Sequence, residues 1–508
     1  MKKQPLSIVW FKKDLRIHDH EPLYLASKER NVACIYIYED ELISQDHFSY
    51  RQLHFLNESL IQLERDLKDI GSSLNLFRGN IESVLKDIRY DYDVQKIYSH
   101  QETGENTSYE RDKRAAALFK SKSILWNESQ CNGVFRGLKS RDEWTKKWNT
   151  YMYSHRFEKP VFSHDIHLKN TVPIQTSKDL NIKDGAIPAK AGYRNALSTL
   201  NSFLDKRSVT YSSDISSPNT AYGSCSRLSA NLSHGNISLR EVFQRTNEKR
   251  NMLREQKVRN GHLKSLAAFS SRLHWHCHFI QKLETQPSLE YQNMVRAFDG
   301  MREDDFDMEK FELWKNGKTG YPLVDACMRA LKEEGWLNFR MRAMVVSFAS
   351  YNLWLDWKKT SKILAAYFTD YEPGIHYSQL QMQSGVTGIN TLRIYNPVKQ
   401  SYDQDPEGKF IRKWVPELAD ISLQWLHEPW KMSSDLNHHV TSPLGKHYPF
   451  PIVINETAIK QARARMRDVR NVDGFADIAR QVYARLGSRN RPFRRRAKPE
   501  NRQLSLFR

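Results

Sequence analysis

Three histidines alternate with a tryptophan and a cysteine in the stretch SRLHWHCHF, residues 271–279. On a helix His274 and His278 lie on the same face, whereas His276 points elsewhere. Two histidines at this spacing can bind zinc, but no third ligand is evident and no glutamate lies between them. The sequence therefore favours one wall of a pocket over a metal site, and we predict no bound metal.

A second candidate site is the segment SCSRLSANLSHGNISLREV, residues 224–242, where small hydroxyl side chains surround Arg227 at the start of a predicted helix. Free backbone N–H groups, serine hydroxyls and a guanidinium group together suit a pyrophosphate. The alternative is a helix that is merely capped by a serine. Taken alone, the segment favours the cap.

Short β-rich runs alternate with helical patterns in the N-terminal part of the chain. One amphipathic helix begins near Leu53, with apolar residues at helical spacing up to Ile70 and Gly71 as its stop. The alternation predicts a doubly wound α/β domain with a parallel sheet. The predicted strands are 7–11, 32–38, 74–77, 96–100 and 123–126.

The chain divides into four predicted segments. The α/β domain covers residues 1–131, and sequence rich in Pro, Ser and Lys follows as an interdomain connection over 132–190. Helical periods dominate from 191 to 487, which predicts an all-helical domain. The last segment, 488–508, is basic and poor in core-forming residues, so we predict a disordered tail.

Composition limits the class of protein. The 508 residues carry a net charge of +19, and this excess favours a polyanion as partner. Five scattered cysteines without a C-x-x-C pair are typical of reduced thiols and argue against an iron–sulfur cluster. No signal peptide or membrane-spanning run is evident, so we expect a cytoplasmic protein without a membrane partner.

Four motifs, in order, carry a resemblance to a known family: WFKKDLR at 10–16, SRLS at 226–229, TGYPLVDACMR at 319–329 and RIYNPVKQ at 393–400. From about residue 7 to about 455 the chain resembles the cryptochrome/photolyase flavoproteins. The resemblance implies an α/β antenna domain and a helical domain that holds FAD in a U-shaped conformation. It also implies that blue light drives electron transfer from the flavin, for repair or for signalling.

The resemblance also implies which residues contact FAD. Arg342 and Asp370 match a buried ion pair beside the isoalloxazine ring, which tunes the flavin. His376 falls where the family faces flavin N5, often with Asn, Asp or Cys. It could hydrogen-bond N5, protonate it, or be a satisfied core histidine. The candidate cofactor-binding residues are Tyr211, Ser226, Arg227, Leu228, Ser229, Phe269, Arg342, Asp370, Tyr371, Glu372 and His376.

The lesion pocket departs from the family pattern. Arg272 replaces a glutamate that hydrogen-bonds the cyclobutane dimer, Phe339 stands at a residue that is Asn or His in repair enzymes, and Met382 replaces a lesion-stacking tryptophan. Trp275 matches the family, and Asn338 precedes Phe339. We predict that these five residues contact damaged DNA and that Arg272 stabilises the radical anion of the lesion.

The chain of tryptophans that reduces flavin in the family is thinned here. Trp357 matches its middle member, but Leu380 and Asp304 replace the inner and outer ones. Electrons enter by another route, for which Trp354, Tyr351 and Tyr377 are candidates, or photoreduction is poor. We take Trp357, Arg272 and His376 as the catalytic candidates. Because Ser108 replaces the glutamate that holds a folate antenna in some relatives, the identity of a second chromophore stays open.

Two functions fit the resemblance. The first is a FAD-dependent DNA photolyase acting on UV-damaged DNA, and the second is a cryptochrome-type photoreceptor without repair. The missing glutamate and the thinned tryptophan chain favour the photoreceptor. The positive charge favours DNA, and no long signalling extension follows the last helix. We favour repair by a monomeric enzyme.

The chain ends in RQLSLFR. Its pentapeptide resembles the peptide with which many bacterial DNA-repair and replication proteins bind the β sliding clamp. A flexible basic tether presents two apolar side chains to a pocket, and a glutamine sets the register. The alternative is a tail that folds back on the body. The predicted clamp-binding residues are Gln503, Leu504, Ser505, Leu506 and Phe507.

Overall fold

The computed structural model describes residues 3–186 and 190–488. Its N-terminal part is a five-stranded, fully parallel sheet with the strand order β3-β2-β1-β4-β5, which confirms the predicted α/β class. The sequence order reverses between β1 and β4, where such sheets bind ligands beyond the carboxyl ends of their strands. The strands are β1 Gln4–Phe11, β2 Val32–Glu39, β3 Leu74–Gly79, β4 Tyr92–His100 and β5 Leu125–Ser129.

Five helices belong to this sheet. The predicted amphipathic helix is α3, and its leucines from Leu53 to Leu67 are buried, because their spacing places them all on the face toward the sheet. The helices are α1 Glu21–Ala26, α2 Asp40–Ile43, α3 Tyr50–Lys68, α4 Ile81–Asp91 and α5 Asn106–Ser121.

After the sheet, the described residues up to 488 form helices joined by loops, in agreement with the predicted helical class. The longest helix, α12, carries the histidine stretch and packs on both α11 and α17. The helices are α6 Trp144–Tyr153, α7 Tyr193–Asp205, α8 Tyr211–Asp214, α9 Pro218–Ser224, α10 Ser229–Ser233, α11 Leu239–Glu255, α12 His262–Thr285, α13 Met308–Lys315, α14 Pro322–Glu334, α15 Phe339–Ser347, α16 Trp357–Tyr367, α17 Pro373–Ser384, α18 Pro397–Gln404, α19 Lys409–Trp414, α20 Leu423–Leu426, α21 Ser434–His439, α22 Asn455–Arg470 and α23 Phe475–Leu486.

The segment predicted as a connection contacts both parts of the molecule. Its helix α6 buries Trp144 and Trp148 in the core that α11 and α12 share. The chain then returns along the outer edge of the sheet, where the Val172 N–H donates to the Leu76 carbonyl at 2.8 Å. This return covers β3, an edge strand whose backbone groups would otherwise be free to pair with another chain. The three boundaries between the four predicted segments stay predictions.

Buried charges join the two parts. The Arg51 guanidinium of α3 donates to the carbonyls of Tyr367 at 2.9 Å and Leu331 at 3.2 Å in the helical part. Asp19, after β1, pairs with Arg240 of α11. Because these groups lose their hydration on burial, breaking one pair leaves an uncompensated charge. The two parts are therefore held in one arrangement.

Within the described ranges, no helix combines the length and the apolar composition that crossing a bilayer requires. The predicted tail and the pentapeptide Gln503 to Phe507 lie outside these ranges.

Candidate cofactor and substrate site

The predicted ion pair forms. Arg342 of α15 donates two parallel hydrogen bonds to Asp370, at 3.0 and 2.7 Å. The pair is asymmetric, because the Asp370 side chain is 4% exposed and that of Arg342 is 27% exposed. Burial by itself raises the pKa of Asp370, but the Arg342 charge and hydrogen bonds from Arg342 and Ser229 outweigh burial and hold this pKa below its usual range. Asp370 is thus a carboxylate at neutral pH.

The Ser229 bond brings the predicted diphosphate loop to this ion pair. In the loop, Arg227 has a left-handed backbone with φ of 61°. Its guanidinium lies over the rings of Tyr222 and Trp336, at 4.1 and 3.8 Å from their centroids. Among the residues that the structure describes, the buried Nη1 of Arg227 has no hydrogen-bond partner. A buried donor with positive charge and no acceptor suits an anionic group such as a diphosphate.

Two residues beside this loop were not predicted from the sequence. Arg207 donates to the carbonyls of Ser226 and Thr199, at 3.2 and 2.8 Å, and so holds the loop in place. Trp336 supplies the aromatic surface under Arg227. Neither residue lies in a recognisable motif, since each acts through contacts made only in the folded chain.

A chain of contacts leads from the cofactor candidates to the surface. Tyr211 is buried against Phe269, with ring centroids 6.1 Å apart, and burial raises the pKa of its phenol against the opposing influence of Arg272. The Arg272 guanidinium in turn lies 5.9 Å from the ring centroid of Phe339. Arg272 and Phe339 are both exposed, and Phe339 is 41% accessible. A cation beside an exposed aromatic ring is an arrangement that fits phosphates and unstacked bases.

The other residues predicted to contact the DNA lesion differ in how deeply they are buried. Trp275 is half-buried and stacks on Phe279, with centroids 5.6 Å apart, and Met382 is half-buried on α17. Asn338 is 2% exposed, and its amide donates to the carbonyls of Ile215 at 3.0 Å and Ser216 at 2.8 Å. The structure places Asn338 inside the wall behind Phe339, where it positions the neighbouring loop.

The structure decides the protonation of His376. Its Nε2 lies 3.0 Å from the Ser361 carbonyl, which can only accept, so this nitrogen carries the proton. Burial lowers the pKa of His376 to about 3, so the ring is neutral and Nδ1 can only accept a hydrogen bond. Burial raises the pKa of nearby Glu372 to about 7. Glu372, rather than His376, can therefore donate a proton near neutral pH.

The histidine stretch forms two faces of α12. His274 and His278 pack on Trp144, with ring centroids 4.8 and 5.9 Å apart. His276 lies on the other face and lines a cavity of about 50 Å³ together with Glu372. Two histidines against a tryptophan form a packed wall, and Arg141 donates to Nδ1 of His278 at 2.8 Å.

Metal-ligand spacing occurs in one place among the described residues: buried Asp14, His20 and His100. The Leu23 N–H donates to Nδ1 of His20 at 3.1 Å, so the proton of His20 is on Nε2. This Nε2–H faces Asp14 at 2.9 Å, as does Nδ1 of His100 at 2.7 Å. A metal would need a lone pair on Nε2 of His20, so the cluster is a hydrogen-bond network.

A second cavity of about 120 Å³ lies beyond the carboxyl ends of β1 and β2, against Tyr371 and Ser108. Beneath it Arg111 is fully buried and bonded to Glu39, to Glu102 at 2.6 Å and to Asp112 at 3.0 Å. Burial raises the pKa of Glu39 to about 7, against the lowering effect of Arg111. Oε1 of Glu39 is buried without a hydrogen-bond partner in the described part of the chain.

Comparison with known proteins identifies the family of the chain. Two family models match, "DNA photolyase" over residues 7–138 and "FAD binding domain of DNA photolyase" over residues 269–468. Cryptochrome-2 of Arabidopsis thaliana is 28% identical over 527 aligned positions, which cover 96% of this chain and 84% of that protein.

Solved structures agree with the family models. A class III photolyase from Agrobacterium tumefaciens has a TM-score of 0.78 and 25% identity, with 93% of this chain and 99% of that chain covered. A photolyase from Sulfolobus tokodaii with two FAD molecules has a TM-score of 0.73 and 25% identity, with 91% and 100% covered. These comparisons show that the chain belongs to the cryptochrome/photolyase family.

Proposed function

We propose that the chain is a FAD-dependent DNA photolyase that repairs UV-induced pyrimidine photoproducts. The observation that carries the proposal is the position of Arg272, which is exposed beside Phe339 on the helix that also carries the buried Phe269. Helix α12 thus carries both a surface cation that suits DNA and a candidate wall residue of the cofactor site. The net charge of +19 supports binding to phosphates.

The residues of the site fit FAD. Arg227 offers the diphosphate a buried donor that has no partner among the described residues, and Arg342 and Asp370 would flank the ring system. When bound, the reduced flavin would supply the light-excited electron. Neutral His376 can accept a hydrogen bond through Nδ1, which suits the N–H group of a reduced ring, and Glu372 can hold a proton near neutral pH.

Repair of damaged DNA tests the proposal. The purified chain, with its flavin chemically reduced, is illuminated with oligonucleotides that contain either cyclobutane dimers or 6-4 products, single- and double-stranded. We expect loss of one lesion type under blue light and none in the dark. If neither lesion disappears from either form of DNA, the alternative applies, a photoreceptor without repair.

Arg272→Ala should slow repair by about tenfold or more, because an oriented cation near a developing anion contributes about 1.5–3 kcal/mol. The flavin absorbance should stay unchanged, since Arg272 is exposed and is not one of the candidate cofactor-binding residues. Arg65→Ala, on the exposed face of α3, is the control and should repair normally. Loss of flavin from the Arg272 variant would instead assign this residue to cofactor binding.

The second cavity supports a further cofactor, which we propose as the light-harvesting second chromophore. Glu39 lines this cavity, and its Oε1, which has no hydrogen-bond partner among the described residues, is an acceptor for a ring N–H. The volume of about 120 Å³ holds part of such a molecule, so binding must displace side chains. Pigments released from the purified chain identify the ligand, and FAD alone would contradict the proposal.

We also propose that the C-terminal pentapeptide binds the β sliding clamp. Support comes from the residues Gln503 to Phe507 and the basic sequence before them. A clamp ligand belongs with DNA repair, so this proposal separates repair from photoreception. A short peptide that orders on binding gives modest affinity, in about the micromolar range.

Removal of the last seven residues tests the clamp proposal. Purified clamp is titrated against the full chain and against a chain that ends at Asn501. The shorter chain should lose binding, and so should Phe507→Ala within the full chain, whereas the repair rate without clamp should stay the same. Equal binding by all three chains would rule out the contact.

A further inference from the structure

Two sets of aromatic residues near the predicted flavin-facing residue are candidates to carry electrons to the flavin, and the sequence does not decide between them. One route passes through Trp354 and Tyr351 before α16. The other passes through Tyr377 on α17, next to His376. The two routes differ in the charges and hydrogen-bond acceptors around their aromatic rings, and these decide how readily each ring loses an electron.

Tyr377 lies at the centre of an aromatic cluster. Its ring centroid is 5.4 Å from that of His376 and 6.4 Å from that of Trp357. Its hydroxyl oxygen is 3.1 Å from that of Tyr371. Trp357 is 1% exposed and donates its N–H to Asn293 at 2.7 Å. The cluster therefore links the predicted flavin-facing residue to the Tyr371 hydroxyl.

The hydroxyl groups of Tyr371 and Tyr377 form a connected pair beside Glu105. The Tyr371 hydroxyl lies against the Glu105 carboxylate and is 3.1 Å from the Tyr377 hydroxyl. Because each phenol has a single proton, the Tyr371 oxygen can accept the Tyr377 proton when Tyr371 gives its own proton to Glu105. His47 approaches the same Glu105 oxygen at 3.3 Å. Burial and the charge of Glu105 raise the pKa of both phenols, so both are protonated in the resting protein. The arrangement is a proton path from Tyr377 to Tyr371 to Glu105.

The other route opposes oxidation. The guanidinium groups of Arg302 and Arg465 lie 4.5 and 4.9 Å from the Trp354 ring centroid, and that of Arg302 is 5.6 Å from the Tyr351 ring. Two nearby cations disfavour a positive charge on Trp354. The buried Tyr351 hydroxyl has no hydrogen-bond partner in the described ranges, so its proton has nowhere to go on oxidation.

We propose that Tyr377 and Tyr371 are the redox-active residues in light-driven reduction of the flavin, with Glu105 as the proton acceptor. The proposal rests on the proposed FAD-dependent function. An electron that leaves Tyr377 for the light-excited flavin would be accompanied by transfer of the Tyr377 proton to Tyr371 and of the Tyr371 proton to Glu105. Tyr371 would then give a hydrogen atom to the Tyr377 radical and become the radical itself. A small thiol would return one electron to Tyr371 and lose its proton to solvent, Glu105 would return its proton to Tyr371, and two thiyl radicals would couple to a disulfide. Tyr371 lines the second cavity, which a thiol can enter when no chromophore occupies it.

Conservative variants test the path. The full FAD-loaded chain is illuminated with dithiothreitol, and the rate of flavin reduction is followed by absorbance in H₂O and in D₂O. Tyr377→Phe, Tyr371→Phe and Glu105→Gln should each slow reduction by about tenfold or more, and the wild-type rate should fall in D₂O because a proton moves with the electron. Freeze-quenched samples should show a tyrosyl radical by electron paramagnetic resonance that is absent from Tyr377→Phe.

The matched controls are Tyr351→Phe and Trp354→Phe, which should reduce flavin at the wild-type rate. If these variants are slow and the tyrosine-pair variants are not, or if no tyrosyl signal forms during wild-type reduction, the assignment is wrong. Repair by chemically reduced protein needs no photoreduction. Failure of that assay therefore counts against the proposed function, whereas unaltered photoreduction in the tyrosine variants counts only against this path.

Discussion

Arg342→Ala will destabilise the protein more than Asp370→Ala. The arginine variant leaves a carboxylate that is 4% exposed with only Ser229 as a partner, which costs about 3–5 kcal/mol of unfolding free energy. The aspartate variant leaves a guanidinium that is 27% exposed and still donates to the Leu337 carbonyl at 2.7 Å, which costs about 1–2 kcal/mol. Both variants should purify with little flavin.

Denaturant unfolding near neutral pH measures the difference in stability between the two variants. Absorbance of the purified proteins measures their flavin content. In the wild type the pKa of Asp370 is lowered, so its contribution is present above the unfolded pKa and is lost as pH falls through the folded value. In Arg342→Ala the largest lowering influence is removed and burial is opposed only by Ser229 and Arg227, so the pKa of Asp370 rises relative to wild type and the loss of stability should shrink toward acid pH. Equal loss of stability in both variants, or normal flavin in both, would contradict the assignment of this pair.

Arg111→Met should have the largest effect on stability, about 5 kcal/mol or more, because it leaves three buried carboxylates without their shared cation. Burial raises the pKa of Glu102 and of Asp112, but Arg111 and two lysines around Glu102, and Lys12, Arg111 and Arg136 around Asp112, hold both values below their usual range. The stability that these two carboxylates contribute is present above their unfolded pKa. Without Arg111, burial raises the pKa of Glu39 and Glu102 against less positive charge, whereas Asp112 keeps Lys12 and Arg136, so the variant should gain stability relative to wild type as pH falls.

The free energy of unfolding of wild type and of Arg111→Met is measured at about pH 8 and at about pH 5.5. The difference between the two proteins should be smaller at the lower pH. Arg114→Met is the matched control on the same helix. Its side chain is 46% exposed and pairs with Glu41 and Glu82, so the change should cost at most about 1 kcal/mol. If the difference in unfolding free energy between wild type and Arg111→Met does not vary with pH, removal of Arg111 does not raise the pKa of the buried carboxylates.

Local pattern alone predicts the fold class. Parallel strands that are buried on both faces need contiguous apolar residues, and these are visible in β1 and β2 without any knowledge of their partners. The spacing of leucines in α3 likewise shows which face is buried. The order of family motifs adds the ion pair of Arg342 and Asp370 and the loop at Ser226 to Ser229, because these residues lie inside recognisable segments.

The tertiary structure alone decides which atoms carry protons and which groups face solvent. The tautomer of His376 depends on the Ser361 carbonyl, and the direction of the Tyr371 hydroxyl depends on Glu105, which is 266 residues away in the chain. Asn338 lies next to Phe339 in sequence but is buried, whereas Phe339 is exposed. Hydrogen bonds and burial are properties of pairs of segments, so a motif can name the residues of a site but cannot show what each one contacts.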